Sequence, residues 1–209
     1  MSDFPTGFAS ATVPLDESLF RGAELDALHE LASRGFEVHT GLTPEMAGHI
    51  YNMSLQPSIK EYCPGDSARR FSDQEAAEHW LAKGRCTFLL MKRDDDNLSL
   101  VGYGWSGRET SPHVQGGQTT FALRVGEQGQ GQGLATPFSR LIIWGTAATF
   151  GAQDFWLETW KSNGGAVHIY DKLGFELVSE EFGSRPTAAG ETVEDSRLYM
   201  RLPNNLLPS

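Results

Sequence analysis

The stretch Val125-Gly126-Glu127-Gln128-Gly129-Gln130-Gly131-Gln132-Gly133-Leu134-Ala135 constrains this chain more than any other. It joins a β-prone run, Gln118 to Val125, to a segment in which Leu134, Phe138, Leu141, Ile142 and Thr149 recur at helical spacing. Glycines at the end of a strand let the backbone turn tightly and approach a ligand. The first turn of the helix that follows carries N–H groups without intrahelical partners, and with the helix dipole these favour a phosphate. The competing reading, a flexible Gly/Gln linker, is weakened by the periodic helix directly after it. Two phosphate loops are excluded. The stretch has no Lys-Ser or Lys-Thr for GxxxxGK[ST], and counting GxGxxG from Gly129 or Gly131 ends on Leu134 or Thr136.

The rest of the chain alternates strands and helices. Residues 1–20 mix Pro, Ser, Thr and Gly with scattered Phe and Leu, and read as an extended or poorly ordered arm. Leu25, Leu28 and Leu31 mark a short helix that Gly35 stops. A strand is expected at 36–40 and a helix from Thr43-Pro44 to about Leu55. A loop is expected over 56–70, then a helix opened by a Ser72-Asp73-Gln74-Glu75 capping box. Strands follow at 86–92 and 98–106 around the turn Asp94-Asp95-Asp96-Asn97, and at 118–125. Beyond the glycine-rich loop and its helix come a strand at 154–159, a helix at 163–173 and strands at 175–182 and 193–202, joined by a loop at 183–190. Pro137 is expected to kink or delay the helix it sits in. The crossover 118–159 predicts one parallel strand pair in an otherwise antiparallel sheet. The expected class is therefore α/β (α+β), a mixed central sheet of about seven strands with flanking helices.

The 209 residues make one domain with an added arm. Against 17 Lys and Arg stand 27 Asp and Glu, a net charge of −10, which disfavours nucleic acid and anionic membrane partners. Cys63 and Cys86 form no CxxC pair and have no His cluster, so neither a metal site nor a disulfide is expected. Two reduced thiols and an N-terminus without a basic or apolar leader region point to a cytoplasmic protein. The apolar runs Phe88–Met91 and Leu141–Trp144 are far short of the ~20 residues a membrane span needs.

Gln130-Gly131-Gln132-Gly133-Leu134-Ala135, five residues after Val125, resembles the acyl-CoA loop [Arg/Gln]-x-x-Gly-x-[Gly/Ala] of the GNAT superfamily of acetyl-CoA-dependent N-acetyltransferases. The run from Leu157 to Phe175 looks like that family's LEVxxxNxxAxxxYxKLGF, with Asn163, Ala166, Tyr170, Leu173, Gly174 and Phe175 in register. The resemblance covers about 36–202. It implies an arm and short helix over 1–35, a GNAT domain over 36–203 and a tail over 204–209. It also implies acetyl transfer from acetyl-CoA to a primary amine, of a small molecule or a protein N-terminus, by direct attack. Main-chain groups of Leu123, Arg124 and Val125 are then expected to pair with the pantetheine arm, and amides of Gln130 to Ala135 to cradle the pyrophosphate. Asn163 would order the cofactor arm. A homodimer is the family-level expectation. A non-catalytic acyl-CoA sensor or scaffold is the alternative.

Tyr170 is the expected general acid. A phenol titrates near ~10 and a thiol near ~8.5, so it can donate to a leaving thiolate at pH 7. Its competing reading is a core tyrosine on an amphipathic helix. Glu158 is the candidate base, directly or through water, because an alkylammonium must lose a proton before it attacks. It alternates with Trp156 and Trp160 on one strand face, and its competing reading is a carboxylate paired to a Lys or Arg. Glu109 and His113 are weaker candidates. His39, His168, Lys161 and Arg140 read as structural or solvated residues. Residues 56–70, with Tyr62, Asp66, Arg69 and Arg70, and residues 183–190 are expected to flank the acceptor. Their mixed charges do not choose its class.

Overall fold

A computed structural model describes residues 4–204. The start of the arm and the residues 205–209 of the tail lie outside it. One eight-stranded sheet has the order β1-β2-β3-β4-β5-β6-β8-β7. Its strands are β1 (Val13–Pro14), β2 (Phe36–Thr40), β3 (Arg85–Asp94), β4 (Asn97–Arg108), β5 (Thr119–Val125), β6 (Phe155–Trp160), β7 (Glu176–Pro186) and β8 (Thr192–Arg201). The helices are α1 (Gly22–Ser33), α2 (Pro44–Ser54), α3 (Pro57–Tyr62), α4 (Gln74–Leu81), α5 (Ala135–Phe150) and α6 (Gly164–Lys172). The seven expected strands are all present. The eighth, β1, is a two-residue piece of the arm laid on β2.

The sheet separates two cores. Phe88, Leu90, Phe121, Phe155 and Leu157 pack with α1, α5 and α6 on one face. Leu89, Met91, Tyr103 and Trp105 pack with α2 and α4 on the other. Alternation along each strand makes this division. The arm is not loose: Phe4, Leu15 and Phe20 are buried, and Phe4 stacks on Phe150 at 4.6 Å.

Four local expectations change. Residues 56–70 are not a loop. Pro57 ends α2 and, with its fixed φ, opens α3, and a π-helical turn spans Asp66–Arg70. The cap of α4 is Asp73 rather than Ser72, its Oδ1 accepting from the Ala76 amide at 2.8 Å. Pro137 neither kinks nor delays α5, which starts at Ala135. At that third position a proline lacks only an N–H that would have had no intrahelical partner. Most of the expected loop 183–190 is strand, because β7 pairs with β8 as far as Pro186↔Thr192.

The only parallel pair among the described residues is β5–β6, and it lasts two residues, Thr119↔Phe155 and Thr120↔Trp156. Beyond that point the strands diverge, while β5 stays paired with β4 as far as Gly102↔Val125. The Thr119 amide donates to the Asp154 carbonyl at 2.9 Å. Alternate residues of a strand turn their peptide groups to the same side. Hence the main chains of Phe121, Leu123 and Val125 face the opening between β5 and β6.

Candidate active site

The opening is a cavity of about 890 Å³. Of the expected site residues it brings together Tyr170, Glu158, Leu123, Arg124, Val125, Gln130, Gly131, Gly133, Leu134, Ala135 and Asn163. Gln132 does not line it. That side chain folds back to donate to the Gln128 carbonyl at 2.7 Å, and its own carbonyl accepts from Arg34.

The glycine loop ends on one rim. Gly131 and Gly133 hold φ of +73° and +71°, and a Cβ at either would meet no atom within 4 Å. Their conformation, not crowding, requires glycine there, and it leaves open space over the amides. Gln130 is fixed by its side-chain amide, which donates to Ser58 Oγ and to the Val125 carbonyl, both at 3.0 Å.

Arg124 departs from its expected part. Its main chain faces β4, opposite Tyr103, so of the three expected pairing residues only Leu123 and Val125 turn theirs to the gap. Its side chain donates from Nε to Asp66 at 2.8 Å and from Nη1 to the Leu123 carbonyl at 2.8 Å. Asp66 is 1% exposed. It also accepts from Arg70 Nη1 at 2.9 Å and from the Tyr103 hydroxyl at 3.3 Å. Burial alone would raise the Asp66 carboxyl, but Arg124 and Arg70 outweigh it and hold the carboxyl below its usual range. Sequence reasoning placed Asp66 and Arg70 near the acceptor and Arg124 on the cofactor strand. It did not join them, because the contact spans 58 residues and has no periodicity.

Tyr170 sits on α6, 7% exposed, with its ring edge-on to Phe121 and tilted against Phe175, each at 6.0 Å. Burial pushes its hydroxyl up to about 12, so it stays protonated at neutral pH. Asn163 caps α6, its Oδ1 accepting from the Ala166 amide at 3.2 Å. Its carbonyl oxygen is thus engaged, and the amide nitrogen is the end left for a ligand. Glu158 reaches the cavity from β6 with its side chain 39% exposed, paired to Arg197 at 3.1 Å. Arg197 also lies over the Trp160 ring at 3.7 Å.

The secondary candidates divide. Glu109 lines the cavity, and its carbonyl accepts from Trp156 Nε1 at 2.7 Å. His113 does not line it and stacks on Tyr199 at 4.2 Å. His168 lies on the cavity wall, although the sequence suggested only a helix surface. Lys161 pairs with Glu180 and Arg140 with Glu24, in keeping with their reading as structural or solvated charges. Cys63 borders the cavity as a free thiol, pushed up to about 11 by burial. No group of three or more His, Cys, Asp or Glu able to hold a metal occurs among the described residues. No helix among them is long and apolar enough to cross a membrane.

Comparison with known proteins gives a consistent picture. A family model described as an acetyltransferase (GNAT) domain matches residues 40–176. No curated protein matches the sequence. Among solved structures the chain is similar to yncA, a putative acetyltransferase from Salmonella typhimurium with its cofactor acetyl-CoA. The TM-score there is 0.62 at 15% identity, covering 81% of this chain and 94% of that one. It is also similar to a ribosomal-protein-S5-alanine acetyltransferase from Vibrio fischeri, with TM-score 0.63 at 12% identity over 82% and 94%. A third is a spermidine N-acetyltransferase chimera from Vibrio cholerae and hSSAT, with TM-score 0.60 at 16% identity over 82% and 96%. At these identities the likeness speaks for the fold.

Proposed function

Because the chain belongs to the GNAT family of acetyltransferases, we propose that it transfers the acetyl group of acetyl-CoA to a primary amine by direct attack. One observation carries this: the unpaired edge of β5 and the buried hydroxyl-bearing Tyr170 border the same cavity. The pantetheine arm is a slender aliphatic chain that carries amide groups. Its carbonyls can accept from the Leu123 and Val125 amides as a neighbouring strand would, the carbonyls of those two residues being held by Arg124 and Gln130. Its pyrophosphate would then lie against the amides of the glycine loop and the first turn of α5.

The chemistry follows from that placement. The amine nitrogen forms a bond to the acetyl carbon, the C–S bond breaks, and the sulfur leaves with the electron pair. Tyr170, protonated at neutral pH, donates to that sulfur. Glu158 takes the proton the nitrogen sheds, directly or through one water. Its partner Arg197 holds the carboxylate on the cavity side of β6. No enzyme nucleophile is required.

Thiol release from acetyl-CoA over an amine library tests the reading, with binding but no release expected of a mere sensor. Replacing Gly131 and Gly133 together by Val should weaken acetyl-CoA binding at least roughly tenfold by calorimetry, since a β-branched residue at positive φ is strained and moves the amides. Unchanged affinity would remove the loop from the site. Glu158→Gln should act differently. Without the base only amine that is already neutral reacts, so activity lost near pH 7 should return as the pH rises toward the amine's ~10.4. A pH–rate profile identical to the parent's would leave Glu158 as the partner of Arg197 and nothing more.

A further inference from the structure

The acceptor side of the cavity is not electrically balanced. The turn Asp66–Arg70 presents Arg69 and Arg70, and β5 adds Arg124. The Arg70 and Arg124 guanidinium groups share a single carboxylate, Asp66. Arg69 is exposed and takes no part in those pairings. Neighbouring carboxylates are committed elsewhere: Glu158 to Arg197, and Glu61 to Arg185. Glu109 lines the same cavity, while Arg85 donates to the Trp80 and Lys83 carbonyls. Arg69, Arg70 and Arg124 thus stand on this wall with Asp66 as the one carboxylate paired to them and Glu109 as the remaining acid, in a chain whose net charge is −10.

The donors are also under-used. Each guanidinium offers five N–H donors in a flat fork that matches a carboxylate. Arg124 engages its Nε and Nη1, and Arg70 its Nη1. A partly buried cation short of a counter-charge favours an anionic partner strongly, because water there is a poor substitute. A polyamine or simple alkylamine would bring further positive charge to this wall and is disfavoured by it.

Resting on the amine-acetylation reading, we infer that the acceptor carries a carboxylate besides its amine, held by Arg69 with Arg70 and Arg124, so that the substrate class is a free amino acid. The amine then points along the cavity toward Glu158 and the thioester, and the Trp105 and Trp156 rings that line the cavity would meet its side chain.

The test is steady-state thiol release with the twenty standard amino acids, each compared with its carboxamide and its decarboxylated amine. For the best acceptor the free acid should exceed both counterparts in kcat/KM by about 10- to 100-fold, the range of a charge-assisted hydrogen bond. Arg69→Gln removes one fork without touching the Asp66 pairings. It should shrink that preference severalfold or more, through the KM for the acceptor, with the KM for acetyl-CoA held. Decarboxylated amines that match or beat the acids would overturn the inference and leave amine acetylation standing. So would an Arg69→Gln enzyme that keeps the full preference, or one whose loss appears in the acetyl-CoA KM, which would assign the charge to the cofactor. No thiol release by any of these compounds, with acetyl-CoA still bound, would overturn this inference, while release with another member of the amine library would leave amine acetylation standing.

Discussion

Tyr170→Phe should lower kcat by roughly 10²- to 10⁴-fold, the usual range for a positioned acid, and leave the KM for acetyl-CoA nearly unchanged. The ring keeps its contacts with Phe121 and Phe175, so the folded protein should lose little stability. The missing hydroxyl matters only as charge develops on sulfur, which is why the effect falls on kcat. Because burial raises this hydroxyl to about 12, the parent enzyme's rate should show no decline from Tyr170 ionisation below about pH 11. Wild-type kcat in the variant, measured where chemistry limits the rate, would reduce Tyr170 to a packing residue.

Asp66→Asn should have the largest effect on stability. The substitution keeps the shape of the side chain and removes the charge that Arg124 and Arg70 share. A buried guanidinium left without its partner costs about 3–5 kcal/mol. Denaturant unfolding would read this as a lower midpoint with an unchanged slope. The pH dependence has a definite sign. The folded carboxyl lies below its unfolded value of ~3.9, so its contribution is full above about pH 4. It is lost as the pH falls through the lower folded value. The variant should lack that part of the acid limb, and a variant as stable as the parent at pH 7 would show that the pairings carry no net weight.

What the sequence made legible was whatever a local rule encodes. The glycine loop, the helix after it and the register from Asn163 to Phe175 each lie within one continuous stretch, and the cavity draws Gln130, Gly131 and Gly133, then Ala135 and Thr136, then Asn163 and Tyr170 from them. The Asp66 cluster is of another kind. A lone Asp after Pro64-Gly65 reads as a turn residue, and nothing in spacing links it to Arg124 or Tyr103. The partner of Glu158 was foreseen in type but not in identity, since Arg197 is supplied by β8 across the sheet. The burial of the arm had a visible signal, the aromatics Phe4 and Phe20, but composition alone ranked the segment as loose.

The short pairing of β5 with β6 bears on how this molecule avoids sticking to others. A strand with free peptide groups usually sits at the outer margin of a sheet, where any passing chain can join it. Here the stretch of Phe121, Leu123 and Val125 that no strand covers lies in the interior of the sheet, between two strands that have already met at Thr119 and Thr120, with the Leu123 and Val125 carbonyls taken up by the Arg124 and Gln130 side chains. That meeting point closes one end of the slot, and α3 and α6 border its flanks. To reach this stretch a foreign β-strand would have to enter between β5 and β6 rather than add at the sheet's margin. The protein can therefore keep a hungry edge permanently open to a small ligand without offering it as a seed for aggregation.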